Sequence, residues 1–183
     1  MELILLLALA GLLAWAVWAY NRLVRLRNQV KEAWAGIDVQ LQRRYDLVPS
    51  LVATVRGYMQ HESGALERVS RLRGQPDMPV DQRAGEETGL SRSIGRLFAL
   101  AEDYPDLKAS EGFQQLHASL VGIEEQLQYA RRYYNGSVRD NNNAVEGFPS
   151  LLIARLFGFP LAGFFEIELA SQRAAPVVGL GGQ

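Results

Sequence analysis

The sequence predicts an all-α fold, in which an N-terminal transmembrane helix continues into an antiparallel helical bundle of three long helices and a short C-terminal one. Three observations predict it. The run "LILLLALAGLLAWAVWAY", Leu3 to Tyr20, is eighteen residues without a charge. Behind it, apolar residues recur at the α-helical period in separate stretches. No stretch alternates apolar and polar residues strongly enough to compete as a strand. The expected organisation is a transmembrane anchor over 1–20, a helical-bundle domain over 21–169 and a flexible tail over 170–183.

The anchor comes first. At about 1.5 Å per residue the run covers about 27 Å, close to the ~30 Å thickness of a bilayer's hydrocarbon core. Trp15, Trp18 and Tyr20 gather at one end, where amphipathic rings favour the headgroup level. Arg22, Arg25, Arg27 and Lys31 follow at once. Basic residues on this flank predict a single-pass protein of the cytoplasmic membrane, with its bundle facing the cytoplasm and a very short N-terminus outside. A cleaved signal peptide would begin with basic residues, whereas Glu2 is the one charged side chain before the run. The expectation is an anchor left in place, with membrane lipid as its partner.

From Leu23 the apolar positions are Leu23, Leu26, Val30, Trp34, Ile37, Leu41, Tyr45, Val48, Val52, Val55 and Met59. Their spacing is helical and keeps phase across Pro49. A proline removes one helical hydrogen bond and crowds the carbonyl four residues back, here that of Tyr45. The unbroken stripe therefore predicts one helix bent at Pro49 rather than two. "RLRGQPDMPVDQ", Arg71 to Gln82, ends this helix in a loop. Asp81 then serves as N-cap of a second helix to about Glu102, with the stripe Leu90, Ile94, Leu97, Phe98 and Ala101. Gly85, Gly89 and Gly95 weaken its start.

A turn is expected around Pro105. A third helix carries Phe113, Leu116, Leu120, Ile123, Leu127, Ala130, Tyr134 and Val138. The amide-rich "NGSVRDNNN" predicts that it frays or stops near Asn141 to Asn143. "GFPSLLIARLFGF" places Pro149 in the first turn of a short apolar helix reaching Phe157. The last residues, "SQRAAPVVGLGGQ", are small and poor in anchors, which predicts the flexible tail.

Net charge is −1 over 183 residues, so nothing favours nucleic acid as a partner. The balance hides an asymmetry. Residues 21–73 carry +5 and residues 74–183 carry −5, as expected of two parts of a bundle that attract one another. The absence of cysteine excludes disulfides, thiol nucleophiles and cysteine-bound metals.

The stretch "IDVQLQRRYDLVPSLV", Ile37 to Val52, mixes apolar and charged residues. Arg43 points away from the stripe into solvent. Asp38 and Arg44 lie at its opposite margins, about 60° from its centre at 100° per residue. There they can rest their stems on the core and reach charges on neighbouring helices. An interhelix polar clasp of Asp38, Arg44, Glu124 and Arg131 is the expectation. A metal-binding or hydrolytic bundle is the alternative, and it would use Asp38, His61, Glu62 and His117. Against it, the HExxH spacing fails because Ala65 stands where the second His belongs. No Glu-x-x-His pair, GxSxG or phosphate loop is present either.

"YNRLVRLRNQVKEAWAGIDVQLQRRYDLVPSLVATVRGYMQHE" resembles the first block of the LemA family. "FALAEDYPDLKASEGFQQL", "EEQLQYARRYYNGSV" and "FPSLLIARLFGF…FFEIE" resemble its later blocks in the same order, and together they cover about Tyr20 to Glu168. In "RDNNNAVEGFPS" the chain departs from the family pattern, which carries a second Tyr-Asn after the Val. The resemblance implies one N-terminal span and a helical bundle, and it implies no activity. By analogy with magnetosome membrane proteins, which the family resembles, it points to membrane organisation. The expectation is an interaction or scaffold protein, not an enzyme and without cofactors. An unidentified protein partner or self-association would engage a surface containing Tyr133, Asn135 and Arg139.

Overall fold

A computed structural model of the chain describes residues 1–58 and 80–165, with side chains from residue 83 onward in the second stretch. Among the described residues every regular element is helical. The elements are α1 (Glu2–Arg56), α2 (Val80–Ala101), α3 (Pro105–Ala109), α4 (Glu111–Glu146) and α5 (Ser150–Leu156). The all-α class and the long apolar N-terminal helix agree with the sequence. Met59, residues 71–79 of the loop expected over Arg71 to Gln82, and the tail over 170–183 lie outside the described residues, and residues 80–82 of that expected loop are helical instead.

The chain forms two compact units. The first combines Met1–Arg43 with Gly122–Phe164. The second comprises, among the described residues, 44–58, 80–121 and Phe165. Helices α1 and α4 each contribute residues to both.

In the first unit α1 and α4 run antiparallel. Ala19 and Leu23 pack with Ala144 and Val145. Further along α1, the Trp34 ring lies 5.4 Å from that of Tyr134. Advancing along one helix therefore means retreating along the other. Ile153, Ala154 and Phe159 complete the cluster, and Trp15, Ala16, Val24 and Leu26 pack against it. In the second unit Val48, Leu51, Val52 and Val55 of α1 meet Leu90, Ile94, Leu97 and Ala101 of α2. Leu107 of α3 and Phe113 and Leu120 of α4 close that core.

Helix α1 is continuous through Pro49 for 55 residues, as the unbroken stripe requires. Its buried face overlaps the stripe read from apolar residues without coinciding with it. Ala33, Arg44 and Leu51, all outside that stripe, are buried. Helix α2 begins at Val80, so Asp81 lies inside its first turn rather than capping it. The expected turn at Pro105 is a five-residue helix, with Pro105 at its start and Leu107 buried beneath it. Proline is well suited to a first turn, where its missing N–H has no helical partner to lose. Pro149 stands one residue before α5, not within it.

The largest correction concerns α4, which passes through "NGSVRDNNN" to Glu146. Intrinsic propensity disfavours those residues, but tertiary contacts override it. Phe113, Leu120, Leu127, Tyr134 and Asn141 are all buried and recur every seven residues. Asn141 therefore occupies the next position of the same seam. Glycine is required where the helix stops: a Cβ at Gly147 would stand 2.6 Å from the Asn143 carbonyl oxygen.

Helix α5 ends in a Schellman turn. The Phe159 N–H donates to the Ala154 carbonyl at 2.9 Å, and Gly158 between them has φ +67°. A side chain in that left-handed conformation costs about 1–2 kcal/mol. Gly158→Ala is therefore expected to lower stability by about that amount in denaturant titrations of the detergent-solubilised chain followed by circular dichroism. An unchanged midpoint would show that the turn is not held as described.

Candidate functional site

Three features stand out. The first is the Arg44–Glu87 ion pair, in which both side chains are at most 2 % exposed. Arg44 Nη1 also donates to Ser91 Oγ at 2.7 Å. Glu87 continues the α2 seam of Leu90, Ile94, Leu97 and Ala101 one step toward the N-terminus. The pair joins two helices of the second unit through their buried faces. Removing one partner of such a pair strands a charge in the core, which is far costlier than replacing both.

Of the four residues expected in a polar clasp, Arg44 thus pairs with Glu87 and Ser91 on α2. Glu124 and Arg131 lie half-buried on α4, each within hydrogen-bond distance of Gln128, at 3.5 and 3.4 Å. Asp38 is half-buried on α1. Glu87 is the residue that sequence reasoning missed. Its place on the three-and-four seam was the signal that could have found it.

The second feature is a strap. Residues 157–164 are tied back onto α4 by polar side chains of the first unit. Asn142 Nδ2 donates to the Ala162 carbonyl and its Oδ1 accepts from the Ala162 N–H, both at 2.9 Å. Tyr134 Oη donates to the Gly163 carbonyl at 2.8 Å. Burial pushes the Tyr134 phenol above its ordinary pKa of 10.0. Phe159 is clamped between the edge of Tyr20, at 5.6 Å, and the Arg27 guanidinium, at 5.3 Å.

The third is the outer face of α4 in the first unit. Tyr129 and Tyr133 are 61 % and 56 % exposed, and Arg132 lies 4.6 Å from the Tyr129 ring centroid. Arg139 is exposed on the same helix, and Asn135 is half-buried. Tyr134, between these residues in sequence, belongs to the core.

The metal-site residues divide differently. His61 and Glu62 lie outside the described residues. His117 is exposed, with its ring edge-on to Phe98 at 4.5 Å and stacked on Phe113 at 6.5 Å. These three line a cavity of about 220 Å³ with Gln114, Glu102 and Lys108, the last two forming an ion pair. That is smaller than the roughly 300–1,000 Å³ of usual small-molecule sites. Among the described residues no group of three or more His, Asp or Glu side chains is placed to hold a metal ion.

The chain is thus an all-helical protein carrying one N-terminal helix apolar enough to cross a bilayer. The most apolar eighteen-residue window of that helix is only 6 % buried, unlike the core helix of a soluble fold. The profile of the LemA family matches residues 33–179, and the chain belongs to that family. It is similar to the magnetosome protein MamQ of Magnetospirillum gryphiswaldense, 23 % identical over 187 residues, covering 87 % of this chain and 69 % of that protein. A Paramagnetospirillum magneticum protein named MamQ 2 is likewise 23 % identical, with the same coverage. Protein LemA of Metamycoplasma hominis is 25 % identical over 138 residues, 74 % of this chain and 63 % of that protein.

Two outcomes follow from the buried groups. Glu87→Ala is expected to cost about 3–5 kcal/mol in chemical denaturation, whereas the double change Arg44→Met with Glu87→Leu recovers most of it. Equal losses in both variants would mean that the charges themselves carry the stability. For Tyr134 the folded phenol titrates above 10.0, so its stabilising effect is complete below that pH and is lost as pH rises beyond it. The drop in melting temperature on raising the pH through this range should be smaller in Tyr134→Phe than in the unaltered chain.

Proposed function

We propose that the chain is a membrane-anchored scaffold, single-pass in the cytoplasmic membrane, which acts by binding a protein partner or a second copy of itself rather than by transforming a substrate. The anchor is the run Leu3 to Tyr20. The basic residues Arg22, Arg25, Arg27 and Lys31 beside it favour a bundle on the cytoplasmic side.

The observation that carries the reading is the outer face of α4. Tyr129, Arg132, Tyr133 and Arg139 stand exposed on a helix whose opposite side is locked into the core. Tyrosine and arginine are among the residue types that dominate binding energy at protein interfaces: tyrosine buries much surface for little lost freedom, and arginine presents a planar fork of five donors. A rigid helix carrying them costs little to order on binding. The relatives named for the magnetosome add support by name alone.

The test is photo-crosslinking in intact cells from a benzophenone side chain at Tyr133. A discrete adduct, with another protein or with this chain, is expected, and Arg132→Glu together with Arg139→Glu should weaken it several-fold. Only diffuse labelling, indifferent to those charges, would sink the proposal. Impermeant labelling of each chain end in the same cells reads the orientation: a protected C-terminus is expected.

A further inference from the structure

The segment from Gly147 to Phe165, "GFPSLLIARLFGFPLAGFF", has one charged residue, Arg155, and no acid. A stretch so apolar would ordinarily be core, yet much of it is outside. Phe148 is 83 % exposed, Leu156 74 % and Leu152 58 %, and Phe157 and Leu161 are also open. Phe148, Leu152 and Leu156 succeed one another at intervals of four, and the last two lie on one face of α5. The opposite face carries Ile153 and Ala154, which are buried against α1. Helix α5 is therefore apolar on both sides, with one side used inside the protein and one left over.

What this ridge lies beside identifies its occupant. The Phe157 ring meets Tyr20, the last residue of the uncharged run, edge-on at 4.9 Å. Trp15 and Ala16, within that run, pack against the cluster containing Ile153 and Ala154. Five residues separate Trp15 from Tyr20, about 7.5 Å along a helix at 1.5 Å per residue. The segment thus flanks the last turn and a half of the span, at the level of its aromatic belt. An amphipathic helix lying on a bilayer buries its apolar face about 5–10 Å into this same zone.

The structure assigns the exposed ridge of Phe148, Leu152, Leu156 and Phe157 to the lipid surface, as a second membrane contact beside the span. The inference rests on the reading of Leu3 to Tyr20 as a membrane anchor. If that run spans the bilayer, any protein seated on the ridge has first to displace lipid from it. Charge fits the assignment. Arg155 flanks the ridge and is exposed, Arg22 lies 5.6 Å from the Trp18 ring, and Arg27 covers Phe159. These cations stand where anionic headgroups would meet them. The ridge is also held firmly: the Schellman turn at Gly158 and the Asn142 and Tyr134 strap fix the residues after α5. Lipid would meet a formed surface, not a segment that must first order itself.

The chain has no cysteine, so single cysteines give clean labelling points. The full chain would be reconstituted into vesicles of phosphatidylethanolamine and phosphatidylglycerol with bimane attached, separately, at Leu152→Cys, Leu156→Cys, Leu9→Cys in the span and Ala118→Cys on α4. Quenching by spin-labelled phospholipid is compared with quenching by aqueous iodide. The labels at 152 and 156 should follow the one at 9, with lipid quenching strong and iodide quenching several-fold weaker than at 118. If 9 is quenched by lipid while 152 and 156 are quenched by iodide, the inference falls and the anchor stands. If 9 itself is open to iodide, the anchor reading fails and takes the inference with it. Labels at 152 and 156 shielded from both quenchers would mean that protein covers the ridge, which also overturns it.

Discussion

Ten large apolar side chains between Leu3 and Trp18 are more than half exposed on a single helix. Removing one such side chain from water is worth roughly 1.5–3 kcal/mol. Together they outweigh the 5–15 kcal/mol by which a folded domain usually exceeds its unfolded chain. In water that surface would contribute nothing to folding and would favour association with lipid or another apolar surface, and the helix makes no attempt to hide it. The physical problem of the molecule is therefore where to put the first five turns of α1. The rest of the first unit is arranged around the level at which they end.

That arrangement depends on α4 returning antiparallel to α1. The seven-residue recurrence of Phe113, Leu120, Leu127, Tyr134 and Asn141 keeps one side of α4 inward over nearly its whole length. It brings Ala144 and Val145 opposite Ala19 and Leu23, where the uncharged run gives way to the basic flank. From there the chain reverses into α5 and then into the segment that Asn142 and Tyr134 hold by its backbone. Asn142, which looks like a helix breaker in the sequence, is one of the two residues that fasten this return.

Much of this was legible beforehand. The helices followed from apolar spacing, and the continuity of α1 through Pro49 followed from a stripe that never lost phase. Two things were not legible, for different reasons. Asn142 reads as a helix terminator because isolated asparagine prefers to bond its own backbone. Only a distant segment, twenty residues on, supplies the alternative partner. Glu87 was overlooked because a seam was sought in apolar residues alone. A charge on a buried seam becomes visible only when its counter-charge, here Arg44, is recognised at the matching step of another helix. The outer tyrosines were only partly separable, since neighbours in sequence face opposite ways. Tyr134 packs at a tilt against Trp34, whereas Tyr133 stands in solvent.

Seams made of similar aliphatic residues have a weakness: sliding one helix by two turns against another changes little, because leucine replaces valine and the contact area survives. In the second unit such a slip of α1 past α2 would bring Leu51 toward the position now held by Arg44. Both ions would then be left inside without a counterpart, at several kcal/mol each. The Arg44–Glu87 pair thus acts as an indexing pin, adding little grip of its own while making every other alignment of the two helices untenable.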